Sequence, residues 1–187
     1  MLAATLLFAL APGGGGGRVY LTVDEALALA FPRCVLERTT EVLSAVEAAR
    51  VEALGGGELE TRLVRPYVAR KDGVLIGTAY FDAHKVRTKN EVLMLVVTPA
   101  ERLARVEVLS FAEPSEYLPR ASFYAQLHGQ RLSERLAVGR EIRGVAGATL
   151  SAEAATRAAR RTLALHRVLA ERKVLAEGKV QAPVVAR

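Results

Sequence analysis

The spacing of apolar residues changes twice along the chain and divides it into three parts. Leu2 to Ala11 is a ten-residue apolar run followed by the glycines Gly13 to Gly17. Beyond them the spacing turns helical. Thr22-Val23-Asp24-Glu25 is a capping box, in which Thr and Glu side chains satisfy each other's backbone N–H groups, and it predicts a short helix ending before Pro32. A second helix is expected from Glu41 to Leu54, with Thr40 as N-cap and Gly55-Gly56-Gly57 as the stop. The period then shortens to that of strands. Arg62 to Arg70 and Val74 to Phe81 flank Lys71-Asp72-Gly73, a hairpin signal with Asp-Gly at the turn. Gly77 inside the second run marks a bulge or a close backbone approach. Glu91 to Thr98 and Leu103 to Phe111 form another pair around Pro99-Ala100-Glu101-Arg102. Helical spacing returns in Ser122 to His128, stopped by Gly129, and in a long segment from Ser151 to about Lys173. Four antiparallel strands in a row, with helices before and after, predict an α+β fold: an antiparallel sheet of about four or more strands covered by helices. No internal repeat, GxGxxG or P-loop pattern is present, so a doubly wound dinucleotide fold is not expected.

Composition narrows the partners. The 187 residues suit one domain with extensions, and with 5% aromatics and no Trp the core must be filled by Ala, Val and Leu. The net charge of +6 and pI of about 9.8 permit nucleic acid or an anionic membrane surface as partners. The arginines are scattered, however, and no nucleic-acid-reading motif accompanies them, so no nucleic-acid partner is expected. The single Cys34 excludes an internal disulfide and a Cys-rich metal site, and reads as a small buried apolar residue. His84, His128 and His166 stand far apart, form no metal-binding spacing and read as surface or packing residues.

The first residues bear on location. The apolar run is too short to span a bilayer and ends in Ala9-Leu10-Ala11, the small-residue pattern of a signal-peptide cleavage site. No Lys or Arg precedes the run and Pro12 follows the cut, which weakens the signal; export or membrane anchoring is still the expectation. The organisation is then a signal or anchor stub with its spacer at 1–17, a domain at 18–173 and a loosely ordered tail at 174–187.

Two segments carry candidate chemistry. Gly144-Val145-Ala146-Gly147-Ala148-Thr149-Leu150-Ser151 runs directly into the long helix. Its glycines and alanines let backbone approach a ligand, Ser151 is the expected N-cap, and Glu153 would sit in the first turn. The unpaired N–H groups of a helix N-terminus form an anion site, and Thr149 puts a hydroxyl at its mouth. The plainer alternative is a tight turn into a capped helix. The second segment, Phe111-Ala112-Glu113-Pro114-Ser115-Glu116-Tyr117-Leu118-Pro119, is an irregular loop able to lay an aromatic ring against a flat ligand, or to serve only as a connection with Tyr117 on the core.

The order of these elements, a hairpin-rich sheet, a Glu-Pro loop, a short helix and Gly-Ala-Thr before a long helix, resembles the FMN-binding domain shared by the C subunit of the sodium-translocating NADH:quinone reductase and the G subunit of the Rnf electron-transport complex. The small exported members are more similar still, with a Val-Tyr-Leu-Thr start, a Glu-Tyr-Leu-Pro loop and an "AT-L-S" opening to the helix. The resemblance covers roughly Val19 to Leu169. It implies an FMN-binding-domain-like fold and a flavin transferase that attaches FMN through a phosphoester to the Thr of a Ser/Thr-Gly-Ala-Thr motif. Here that residue is Thr149, with Ala146, Gly147, Ala148, Leu150 and Ser151 around the cofactor. By the same resemblance Glu113, Tyr117 and Leu118 contact the flavin.

The chain departs from the family where Ala146 replaces Ser or Thr, and where Ile142 and Arg143 stand in place of an upstream Asp. Covalent FMN, non-covalent FMN or another anionic ligand, and a structural subunit without flavin all stay open. The implied role is an extracytoplasmic, membrane-associated electron carrier, passing electrons from a membrane reductase to a later acceptor through redox partner proteins. No acid/base pair or activated nucleophile points to an enzyme with its own substrate. On the long helix Arg157, Arg160, Arg161, Arg167, Arg172 and Lys173 face Glu153 and Glu171, either as a contact for an acidic partner or lipid head groups or as a solvated basic face.

Overall fold

The computed structural model describes residues 18–180, the last five by their backbone alone. The apolar run, the glycine spacer and residues 181–187, and with them the export signal and the end of the tail, lie outside the described residues. The rest is an α+β domain built on a six-stranded antiparallel sheet. Its strands are β1 (Arg18–Val19), β2 (Val35–Arg38), β5 (Tyr67–Lys71), β6 (Val74–Lys85), β7 (Asn90–Val97) and β8 (Leu103–Phe111), in the order β1-β8-β7-β6-β5-β2. A separate two-stranded ribbon pairs β3 (Glu41–Val42) with β4 (Leu63–Val64). The short edge strands β1 and β2 were not expected.

Local chemistry explains most of the boundaries. Helix α1 (Val23–Ala30) begins with the Thr22–Glu25 capping box. Helix α2 (Ala45–Gly55) begins with a second one, Ser44–Glu47, rather than at Thr40. The expected start at Glu41 is wrong because Glu41 and Val42 pair with Val64 and Leu63, and Ser44 offers the first complete reciprocal cap. The β5–β6 turn places Asp72 and Gly73 at φ 50° and 79°, as a two-residue hairpin with right-handed strand twist requires. Gly77 pairs with Ala69 while Leu75 pairs with Arg70, so Ile76 bulges out. A Cβ on Gly77 would lie 3.0 Å from the Val97 carbonyl oxygen, so the close approach expected there is present.

The sheet separates two cores. On one face α1 packs Ala26, Leu27 and Phe31 against Ala69, Ala79, Met94, Val96 and Leu109. On the other lie α2, α3 (Ala121–Tyr124, continued by a 3-10 turn to Leu127) and α4 (Thr149–Val180), over Leu93, Leu95, Val97 and Leu103. In the first three turns of α4 the buried stripe is mostly alanine, including Ala152, Ala155, Ala158 and Ala159, so neighbouring backbones come close. A Cβ on Gly55 would stand 3.0 Å from the Arg161 Cα. Helix α4 begins two residues before the expected Ser151 and continues past Lys173, so the first part of the expected tail is helix.

Candidate functional site

The loop before α4 closes without a capping side chain. Ala148 N–H donates to the Val145 carbonyl, and the Ala148 carbonyl receives the first helical bond, from Ala152 at 2.9 Å. Gly147 takes φ 81°, which glycine adopts without strain. Thr149 is therefore the first helical residue, exposed, and its hydroxyl leans on the Val145 carbonyl at 3.4 Å. Ser151 is buried in the first turn instead of capping it, and Glu153 falls beyond that turn, which holds no acid. This corrects the Ser151 N-cap and Glu153 first-turn expectations; the Val145–Ala148 turn does the work of the cap. Among the described residues no protein acceptor takes the backbone N–H of Thr149, Leu150 or Ser151.

Opposite this terminus stand the β6–β7 turn and the loop after β8. Glu113 joins them. Its Oε1 accepts the backbone N–H groups of Arg87 (3.2 Å), Thr88 (2.6 Å) and Lys89 (2.8 Å), and the Thr88 hydroxyl adds a fourth bond. These donors, led by Thr88 and Lys89, hold its carboxyl below the usual range. Glu113 thus organises the turn through Oε1. The Arg87 guanidinium lies over the Tyr117 ring, 5.7 Å from its centroid.

Between these parts is a cavity of about 220 Å³ lined by Val86, Arg87, Glu113, Tyr117, Gly147, Thr149, Leu150 and Ser151. Six residues chosen from sequence, in two segments separated by thirty positions between Tyr117 and Gly147, share it. Ala148 is buried beneath the turn and Ala146 is exposed upon it; neither lines the cavity. Leu118 lies elsewhere, in a groove with Pro119, Tyr124 and Val108. Val86 and Arg87 were missed because nothing local marks a turn residue whose side chain folds across another loop.

Sequence reasoning also missed a buried charged cluster between β6, β7, α3 and α4. His84 Nδ1 lies 2.8 Å from Asp82 Oδ1 and Nε2 lies 3.1 Å from Glu91 Oε2. Arg161 of α4 bonds both oxygens of Asp82, and the Tyr124 hydroxyl donates to Glu91 Oε1 at 2.9 Å. Burial alone would lower the His84 pKa, but the hydrogen bonds to Asp82 and Glu91 outweigh it and raise it to about 9. Both ring nitrogens then donate, as an imidazolium requires. Asp82 and His84, alternating within an apolar strand, were the available signal.

The basic helix face is not a solvated stripe. Arg160 donates to the Leu54 carbonyl, Arg161 binds Asp82, Arg167 binds Glu101, and Arg172 reaches Glu41 and the Val42 carbonyl. Arg157 and Lys173 remain on the exposed side. Cys34 is half-buried rather than buried, and His84 and His166 make specific polar contacts. Among the described residues there is no cluster fit to hold a metal ion, and no helix is long and apolar enough to cross a membrane.

The site can offer an anion three helix N–H groups, the positive end of a long helix dipole, an arginine and an adjacent hydroxyl. Its volume is below the 300–1,000 Å³ typical of pockets that enclose a whole cofactor-sized ligand. The residues therefore fit an anionic group of phosphate size, with Tyr117 in the lining. No protein-family model, curated protein sequence or solved structure matches this chain.

Proposed function

We propose that this protein is an extracytoplasmic electron carrier that holds FMN through a phosphoester to Thr149, attached by a flavin transferase. The observation that carries the proposal is the shared cavity, in which an exposed threonine hydroxyl opens a helix whose first N–H groups have no protein acceptor, opposite Arg87 and Tyr117. The helix terminus and Arg87 neutralise the phosphate, Gly147 keeps the approach to Thr149 clear of side chains, and Glu113 holds the turn that carries Arg87. Bound FMN supplies one- and two-electron chemistry, with the protein providing position and electrostatics. A cavity that covers only part of the cofactor leaves its ring open to redox partners, which suits a relay between a membrane reductase and a later acceptor.

The test is production in a host with a flavin transferase and intact export. Colour that survives denaturation, with the mass of one FMN less one water added to the Thr149 peptide, is the expected result; Thr149→Ala abolishes both. A flavin released by denaturation would assign the site to non-covalent binding. Colourless, unmodified protein from the same host, together with a Thr149→Ala variant indistinguishable in function, would overturn the flavin reading.

A further inference from the structure

Strand β6 outlasts its neighbour. The β5–β6 ladder ends at Tyr67↔Ala79, whereas β6 stays paired with β7 as far as Lys85↔Asn90. Along Tyr80–Lys85, alternate residues turn their N–H and C=O groups away from β7, toward the side that β5 no longer covers. Among the described residues no backbone hydrogen bond reaches that edge. Where the next strand would lie there is instead a cavity of about 410 Å³, bounded by Tyr80 to Ala83 on one side and Leu59 to Pro66 on the other. An open strand edge facing a cleft of this kind is a template for an added strand.

The walls state which strand. Leu59, Val64, Tyr67 and Leu165 offer apolar surface to alternate side chains of an extended peptide. Five charged residues line the cavity. Asp82 and Arg161 are consumed by each other and by His84, which leaves Arg38 and Arg65 against Glu60 at the exposed rim. Arg38 is held over the Tyr67 ring, 5.8 Å from its centroid. The balance favours an acidic occupant. We propose that the cleft between β6 and residues 59–66 binds an extended acidic peptide segment of a partner protein by strand addition to Tyr80–Ala83. This surface is separate from the cavity at Thr149: Arg161 lies twelve residues further along α4, roughly 18 Å at 1.5 Å per residue.

The probe is an acetylated, amidated pentapeptide alternating glutamate and valine, titrated into the full-length protein. Binding is expected, with slowed amide exchange at Tyr80–Ala83. Methylating the backbone nitrogens of one alternate set weakens binding by about tenfold or more, because those amides face the β6 edge. A lysine–valine peptide, or the Arg38→Glu/Arg65→Glu double variant with the parent circular dichroism spectrum, shows a loss of at least about tenfold. The proposal is overturned if the acidic peptide does not bind, if both N-methylated series bind as well as the parent, or if charge reversal changes nothing. It is also overturned if the edge is found protected by a second copy of the chain.

Discussion

Arg161 grips Asp82 with both arms of its guanidinium, Nε to Oδ2 at 2.9 Å and Nη2 to Oδ1 at 2.7 Å, and so bolts α4 to β6. Both side chains are largely withdrawn from water, at 17% and 13% exposure. Removing one partner leaves the other charge buried. Arg161→Ala is expected to lower the unfolding free energy by about 3–5 kcal/mol in urea titration. The Arg161→Met/Asp82→Leu double variant loses less than the single one, because no orphaned charge remains. Additive losses would contradict a coupled pair.

His84 makes stability depend on alkaline pH. Its pKa is about 9 in the folded chain against an ordinary 6.5, so the folded state binds the proton more tightly. Its contribution is complete below about pH 6.5 and is lost as the pH rises through 9. Unfolding free energy measured from pH 6 to 10 should fall with a slope approaching about 1.4 kcal/mol per pH unit over that window. In His84→Gln this fall disappears, whatever the variant's absolute stability.

Glu113 is expected to act through the turn it ties. In Glu113→Gln an amide nitrogen can face the N–H groups of Arg87, Thr88 and Lys89, and one acceptor for all of them is no longer assured. Exchange of these three amides should accelerate by about tenfold or more, with β7 unaffected. In the unaltered protein the same protection should persist above the ordinary Glu range and fade as the pH falls through its depressed pKa. Unchanged exchange in the variant would show that the turn stands without Glu113.

Three glycines give a graded series. Gly55→Ala and Gly77→Ala each place a methyl 3.0 Å from fixed backbone, at Arg161 Cα and the Val97 carbonyl, and should cost about 1–3 kcal/mol. Gly57→Ala meets nothing within 4 Å and needs no positive φ, so it should be nearly neutral. Thermal melts of the three would rank them.

What the sequence revealed was local or depended on the order of elements. Thr22–Glu25 and Asp72-Gly73 have a short-range physical cause, Gly77 shows itself as a glycine inside a strand pattern, and each stands where it was expected. The placing of Thr149 with Glu113 and Tyr117 came from the resemblance that the order of segments carries, and the three line one cavity. The misses share a different origin. Ser151 looked like a cap because serine caps helices, yet a backbone turn ending at Ala148 started the helix sooner. The arginines of α4 looked like a surface because their acceptors, Asp82 and Glu101, lie 79 and 66 residues away. The tie from Glu113 to the β6–β7 turn went unseen because its donors, Arg87 to Lys89, lie 24 to 26 residues away.

The pairing of Arg18 with Phe111 has one more consequence. It fixes where the chain enters the domain: at the end of the sheet that carries Glu113, two residues beyond Phe111. The β1–β8 pairing therefore braces the strand end from which the Glu113 loop departs toward the cavity at Thr149.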